Sequence, residues 1–440
     1  MSAAPVDSAV RAPTPPEGLP RVLAGRRGDG PASLEEHLAH HGSLPRVGQG
    51  AKVRKAFVDM VERAGLRGRG GAGFPTAVKL RAVARGRRTP VVLANGAEGE
   101  PASRKDELLL ADLPHLVLDG AVVAAEAVNA SEVIVAVDRA SRRLRTSVAR
   151  ALGERRAANV DRVPVRVVDA PSRYVAGEES ALVHWVNGGD AKPTTVPPRP
   201  YQRGVHGRPT LVQNVETLAN LALIARFGDE WFRSVGSPQE PGSALVTVGG
   251  AIARPGVCEV GLGTPISAVL EAAGGATEDI TTFLVGGYIG SWLPASAATM
   301  GLGDDLRAAG ATFGCGVLFA LPATACGVVE TARVARYLAN ETAGQCGPCV
   351  FGLAAIAGAL EAVARGERTD TDGLRRWLHD VAGRGACHHP DGAVRFVASA
   401  LQVFAADVER HLSGMGPCAG AHRPPVLPVP APRARETGWR

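Results

Sequence analysis

Apolar positions recur every three to four residues in "KVRKAFVDMVERAG" (52–65), which predicts an amphipathic helix stopped by Gly65. Two short apolar runs, "TPVVLANG" (89–96) and "SEVIVAVD" (131–138), are bounded by turn residues and read as strands. Between them "LVLDGAVVAAEAVN" (116–129) has the pattern of a buried helix. That alternation predicts an α/β domain over residues 50–240, with a parallel sheet covered by helices. The pattern then changes. "SALVTVGGAIARPGVCEVGLGTPI" (243–266) reads as a hairpin turning at Gly and Pro, "PISAVLEAAGG" as a short helix, and "TFLVGGYIGSWLP" as a strand and loop. Residues 241–328 are therefore read as a small α+β module.

From 329 to 414 the period is helical throughout, in "VVETARVARYLANET", "GLAAIAGALEAVARG", "TDGLRRWLHDVAGRG" and "GAVRFVASALQVFAADVERHLSG", which predicts a C-terminal helical bundle. Residues 1–49 read as a mobile leader with one short helix, "SLEEHLAHHG", where Ser33 and Glu36 form a capping box. Residues 415–440 read as a disordered Pro-rich tail. The longest apolar runs are too short, or are interrupted by Pro, Asp, Glu or Asn, so no transmembrane segment is expected. The first residues have no apolar core and do not form a secretory signal.

The 440 residues suffice for two or three cores, and 45% are hydrophobic, which fits a soluble globular protein. The net charge of +6 is carried mostly by Arg spread along the chain, and aromatics are only 4%. No basic run with interleaved aromatics suggests nucleic acid, so none is expected as a partner. Anionic cofactors or an acidic protein partner suit the charge better. The seven cysteines are too few and scattered for a disulfide framework. A cytoplasmic location is expected, where close cysteines point to metal or redox chemistry.

Three polar stretches carry candidate chemistry. "GLRGRGGAGFPTAVKL" (65–80) holds five glycines by Gly73, with Arg67, Arg69 and Lys79. Such a loop lets backbone N–H groups approach a phosphate, and a helix starting near Pro75 would aim its dipole at the same anion. It matches neither the Walker pattern nor a strand-then-GxGxxG turn, and a flexible surface loop is the alternative. "NGAEGEPASRKDE" (95–107) follows a strand, so Asn95, Glu98 and Glu100 stand where open α/β sheets bind ligands; a solvated acidic turn is the alternative. Only five lysines occur in the chain, yet Lys79 and Lys105 fall in these two stretches. The third region pairs "YVAGEESALVHWVNG" (174–188) with "GRPTLVQNVETLAN" (207–220). Asn214 either caps the helix that follows or contacts a ligand.

The last motif is "ETAGQCGPCVFG" (341–352), with Cys346 and Cys349 two residues apart in a Gly/Pro turn. An iron–sulfur cluster is normally held by four thiolates. Cys258, Cys315, Cys326 and Cys418 are read as ordinary buried or tail thiols.

Taken in order from about residue 50 to about 410, these motifs resemble the flavin-bearing, NADH-oxidising 51 kDa or F subunit of respiratory complex I. Diaphorase subunits of NAD-linked hydrogenases and formate dehydrogenases share the pattern. The resemblance implies an α/β FMN-binding domain, a β-grasp-like module and a helical iron–sulfur-binding domain. It implies that Gly68, Arg69, Gly70, Gly71 and Lys79 line the FMN phosphate and NADH side. Asn95, Glu98, Tyr174, Gly177, Glu178, Gln213 and Asn214 would hold the flavin ring and ribityl chain. Phe74 would stack on the nicotinamide nucleotide, and Glu100 and Glu179 would meet its polar groups. The implied chemistry is hydride transfer from NAD(H) or NADP(H) to FMN, with no side chain acting as acid or base. Electrons would then pass singly through a cluster to a thioredoxin-like ferredoxin subunit or a membrane-bound reductase, which would hold the chain at the inner face of the membrane.

The sequence departs from that family at four places. Ala97 stands where an Asp contacts the flavin, Leu80 replaces an aromatic, and Arg199 replaces an aromatic that sandwiches adenine. Loss of such stacking weakens nucleotide affinity by roughly a few kcal/mol, and Arg199 could recover part of it through a phosphate, that of NADPH included. In the cysteine loop Ala343 stands where the first ligand belongs, while Cys387 matches the distant fourth. Cys346, Cys349 and Cys387 are thus the metal ligands expected. Three outcomes stay open: a 4Fe-4S cluster completed by His388, His389, another Cys or an exogenous ligand; a 3Fe-4S cluster on three thiolates; or an empty site. The last would leave an FMN-only oxidoreductase, and loss of all cofactors a non-catalytic assembly subunit.

Overall fold

The computed structural model describes residues 17–28, 30–414, 416–432 and 437–440. The first part of the chain runs α1 (Leu34–His41), α2 (Ala51–Ala64), α3 (Thr76–Ala84), β1 (Val91–Gly96), α4 (Lys105–Asp112), α5 (Pro114–Val128), β2 (Val133–Asp138), α6 (Arg142–Ala157), β3 (Val165–Ala170), α7 (Glu179–Val186), β4 (Thr210–Asn214) and α8 (Val215–Arg233). Local rules set most boundaries. Ser33 and Glu36 form the expected capping box on α1. Gly65 closes α2 in the left-handed region, at φ 75°. Asn129 does the same for α5, at φ 58°.

The four strands are parallel in the order β3-β2-β1-β4. The chain leaves β1 for β2 and β3 on one side, then returns to place β4 on the other. The reversal puts a crevice between the C-terminal ends of β1 and β4, where open α/β sheets bind ligands. Asn95 and Asn214 are register partners at that crevice. The central strands are buried on both faces, which explains their continuous apolar runs. Helix α5 is buried along nearly its whole length between this sheet and α8.

The second part runs β5 (Ser243–Gly250), β6 (Gly256–Gly261), α9 (Ile266–Ala272), β7 (Ile280–Val285), β8 (Ser291–Pro294), α10 (Asp304–Ala308) and β9 (Val317–Pro322). Its sheet is mixed, in the order β6-β5-β9-β7-β8. The predicted hairpin is β5 against β6, and β9, one of the longest apolar runs of the chain, is the central strand. No single helix among the described residues is long and apolar enough to cross a membrane.

Helices α11 (Gly327–Asn340), α12 (Ala354–Ala364), α13 (Thr371–Val381), α14 (His389–Val403) and α15 (Ala405–Leu412) follow and share one apolar core. The last predicted helix is two, broken at Phe404. A Cβ on Gly327 would lie 2.1 Å from the Phe404 ring, so that close approach needs a glycine.

The expectations of a mobile leader and a disordered tail fail for their described parts. The Glu259 carboxylate accepts the N–H groups of Arg21, Val22 and Leu23, and the Arg21 guanidinium stacks 4.2 Å over Trp231. In the tail, Glu330 accepts the N–H groups of Val426 and Leu427, and Leu427 and Trp439 are buried. Composition missed both segments because single carboxylates at distant positions tie them down. Residues 1–16, 29, 415 and 433–436 lie outside the described residues.

Candidate functional site

Four loops meet at the crevice. The glycine loop is held from below. The Arg69 N–H donates to Thr217 Oγ1 at 2.8 Å, and the Gly68 N–H donates to the Phe74 carbonyl. A Cβ on Gly70 would sit 3.1 Å from the Asn214 side chain, whereas Gly71, at φ 115°, faces open space. The N–H groups of Gly70 and Gly71 donate to no acceptor among the described residues. Two free N–H donors in such a turn form a cradle for an anion. Phe74 is 53% exposed beside it, which suits a stacking surface.

Arg69 is placed differently from the expectation. Its guanidinium is buried, donates to the Ser243 carbonyl at 2.9 Å and lies 3.9 Å from Glu216. It supports the loop from beneath and does not present its charge to a phosphate. Lys79 Nζ pairs with Glu179 at 2.9 Å, and Arg199 approaches the same carboxylate at 4.0 Å.

On the other side of the crevice, Asn95 Nδ2 donates to the Gly177 carbonyl at 2.8 Å. A Cβ on Gly177 would lie 2.6 Å from the Ala97 carbonyl, so these two loops touch backbone to backbone. Glu178 caps α7 through the N–H groups of Ser180 and Ala181. Asn214 caps α8 through the Glu216 N–H and also donates to Asp106 at 2.6 Å. Gln213 donates to Thr76 at 3.3 Å. Asn95, Glu178 and Asn214 thus fill the structural roles open to them and still line the crevice.

Glu98 accepts from Ser103 and from the N–H groups of Asp106 and Glu107, at the start of α4. Burial, reinforced by Asp106, pushes its carboxyl up to about 7. Glu100 is buried, accepting from Tyr174 Oη at 3.0 Å and the Tyr288 N–H at 2.9 Å. Burial likewise pushes it up to about 7. A cavity of about 160 Å³ lies among Ala97, Glu98, Gly99, Tyr174, Tyr337 and Glu341. Two larger cavities, of about 850 and 620 Å³, touch none of the expected site residues.

Two buried supports stand behind the crevice, one flagged in the sequence without its role and one not seen there at all. Lys105 Nζ lies 2.7 Å from Asp106 and 3.0 Å from Glu216, directly behind Asn214. Burial opposes its charge, but Asp106, Glu216 and Glu98 hold the ammonium above the usual lysine range. The scarcity of lysine was the one available signal. The second is Arg173 with Glu341, at 2.9 Å, which locks the loop bearing Tyr174 to the end of α11. No sequence pattern marks a pair 168 residues apart.

The cysteine loop follows α11 directly. Pro348–Leu353 forms a π-helical turn that leads into α12. Burial pushes the Cys349 thiol up to about 12, with Cys387 and Cys346 adding to it. Burial also raises Cys387, again with a contribution from Cys346. The Cys349 N–H donates to the Cys346 carbonyl at 3.1 Å, but the three sulfurs do not all lie within 4.8 Å of one another. Ala343 offers no donor. His388 is 96% exposed at its side chain and pairs with Asp391, while His389 is buried with Nε2 on the Leu338 carbonyl at 2.9 Å.

The chain matches the family model of the Nuo51 FMN-binding domain over residues 61–223. It also matches the NADH-ubiquinone oxidoreductase-F iron-sulfur binding region over 330–411 and the SLBB domain over 245–285. These define a flavin-binding, iron–sulfur electron-transfer class. The F subunit of the NADH-quinone oxidoreductase of Streptomyces coelicolor is 31% identical over 383 residues, covering 82% of this chain and 84% of that protein. Its Escherichia coli counterpart is 30% identical over 426 residues, covering 90% and 93%. An NAD+-reducing NiFe-hydrogenase in the air-oxidised state superposes with a TM-score of 0.75 at 31% identity, covering 82% of this chain and 63% of that one. The chain thus spans less than two thirds of the hydrogenase chain. It belongs to the family of NADH-quinone oxidoreductase F subunits, as a divergent member. The resemblance read from the motifs is borne out, and with it the reading as an NADH-oxidising, FMN-binding subunit with an iron–sulfur region.

Proposed function

We propose that this chain is the electron-input subunit of a larger assembly, taking hydride from NADH and delivering electrons singly to a protein partner. The observation that carries this reading is the pair of free N–H groups on Gly70 and Gly71 beside exposed Phe74, at the reversal point of the parallel sheet. FMN, when bound, supplies two-electron acceptance and one-electron release. The residues of this chain bind and orient. The Gly70 and Gly71 N–H groups hold the phosphate, with Gly68 shaping the loop. Asn95, Glu98, Tyr174, Gly177, Gln213 and Asn214 fix the ring and ribityl chain, and Glu178 keeps α7 in place beneath them. Phe74 stacks on the nicotinamide nucleotide, while Lys79, Glu100 and Glu179 meet its polar groups. Lys79 and Arg199 both neutralise Glu179 and leave a net positive rim for the nucleotide phosphates.

Cys346, Cys349 and Cys387 are proposed as ligands of an iron–sulfur cluster that would accept electrons one at a time. Phe351, two residues beyond Cys349, is 75% exposed. The acceptor we propose is a thioredoxin-like ferredoxin subunit or a membrane-bound reductase. Ala343 favours a second reading, in which the partner is reduced directly from FMN.

The test is oxygen-free purification with flavin and iron assays, NADH and NADPH oxidation with an artificial acceptor, and EPR before and after reduction. Bound flavin reduced by NADH is expected. In Gly70→Val, whose side chain would crowd Asn214, flavin affinity should fall by more than about tenfold, ~1.4 kcal/mol. A protein that binds no FMN and oxidises neither nucleotide would sink the proposal in favour of a non-catalytic assembly role. Flavin without any iron signal would select the FMN-only reading.

A further inference from the structure

The closest gathering of metal-ligating side chains is not the cysteine loop. Among the described residues, Cys326, His411 and Cys418 are the one group of three His, Cys, Asp or Glu whose ligand atoms all lie within 4.8 Å of one another, and all three are buried. They come from three places: Cys326 just before α11, His411 in the last turn of α15, and Cys418 in the tail.

The histidine is already oriented as a ligand. Its Nδ1 lies 3.1 Å from the Val363 carbonyl. A carbonyl only accepts, so Nδ1 carries the proton and Nε2 presents a lone pair. Metal-bound histidines are held this way by a backbone carbonyl on the far nitrogen. Nε2 faces Cys326 Sγ at 3.6 Å and accepts the Cys418 N–H at 3.2 Å. Zinc–ligand bond lengths place tetrahedral sulfur and nitrogen ligands about 3.5–3.8 Å apart, so the Cys326–His411 spacing needs no rearrangement.

The backbone around the group is tight. A Cβ on Gly420 would lie 2.8 Å from the Ala325 backbone, so the tail runs directly over the turn that carries Cys326. The Glu278–Arg423 ion pair and the Glu330 carboxylate fix the same segment further on.

We propose that Cys326, His411 and Cys418 bind one thiophilic divalent cation, zinc(II) foremost, which fastens the tail segment to the start of α11 and the end of α15. Two thiolates and an imidazole are a borderline-soft donor set that suits zinc and disfavours magnesium or calcium. No fourth side chain among the described residues completes the tetrahedron, so the last position goes to water or an exogenous ligand. The ion replaces the weak Cys418 N–H contact on Nε2. The site is separate from the cysteine loop and does not depend on the proposed electron path.

The test uses the full-length protein, stripped with a chelator under reducing, oxygen-free conditions and titrated with cobalt(II), then with zinc(II). The expected result is cobalt uptake with a thiolate-to-metal charge-transfer band, displaced by zinc, of which about one cobalt per chain persists when the cysteine loop is disabled. Cys418→Ser and His411→Gln should each weaken uptake by more than about tenfold, while Cys349→Ser should leave it intact. Circular dichroism of each variant separates loss of a ligand from loss of the fold. Absence of cobalt uptake would overturn the proposal. So would loss of the band in Cys349→Ser, which would assign the metal to the cysteine loop. A Cys326–Cys418 disulfide, found by mass spectrometry of the protein as purified without reductant, would overturn it as well.

Discussion

The crevice between β1 and β4 and the loop after α11 have fared differently in this chain. At the crevice, the resemblance puts Ala97, Leu80 and Arg199 where the family carries other residues, yet the cradle stands. Its donors are backbone N–H groups, and its shape comes from the sheet reversal and from the caps on α7 and α8. At the loop, the resemblance puts Ala343 where the first ligand belongs, and an alanine side chain has no donor. Function carried by the backbone survives side-chain change while the fold holds. Function carried by a thiolate ends when that residue changes, because no neighbour reaches the same point with the same chemistry. The exposed His388 and the inward-turned His389 illustrate this.

The sharpest way to break that comparison is Ala343→Cys. A fourth thiolate should raise the iron content per chain and strengthen the 4Fe-4S EPR signal on reduction relative to the parent. An unchanged iron content would mean that the loop is mis-set as well as one ligand short. Next comes Lys105→Met, which tests how far the crevice depends on side chains beneath its backbone. It leaves Asp106 and Glu216 buried without their cation, and a loss of about 3–5 kcal/mol is expected in chemical denaturation. A loss under ~1 kcal/mol would show that the trio is dispensable.

The smallest effect is expected at Glu100, and it depends on pH. Its folded pKa of about 7 lies above the usual carboxylate value, so the folded state binds the extra proton. Stability contributed by the neutral acid is therefore present at low pH and lost as pH rises from about 4.5 to 7. Glu100→Gln should be close to neutral at pH 5 and stabilising by up to about 3 kcal/mol at pH 8, read as a pH-dependent shift in Tm. An equal shift at both pH values would rule out titration of Glu100 as the cause.

Much of this was legible in the chain itself. Period and capping gave α1, α2, α5, β1, β2 and the β5–β6 hairpin, because those signals act between near neighbours. The ordered motifs gave the family and the cofactors it implies. Strands β3, β4 and β9 were not read as strands. Their residues take meaning from sheet partners far away in sequence, as β9 shows by standing between β5 and β7.

The sequence on its own determined which backbone turns form, which residue types stand at the crevice, and that position 343 carries no donor side chain. Only the tertiary structure decided which way Arg69 points, which carboxylates hold Lys105, and that Glu259 and Glu330 order the two ends of the chain. It alone brought Cys326, His411 and Cys418 together from three separate elements. Local preferences are settled within a few residues. Charge pairing and metal-ligand geometry are settled by distances that exist only once the cores have closed.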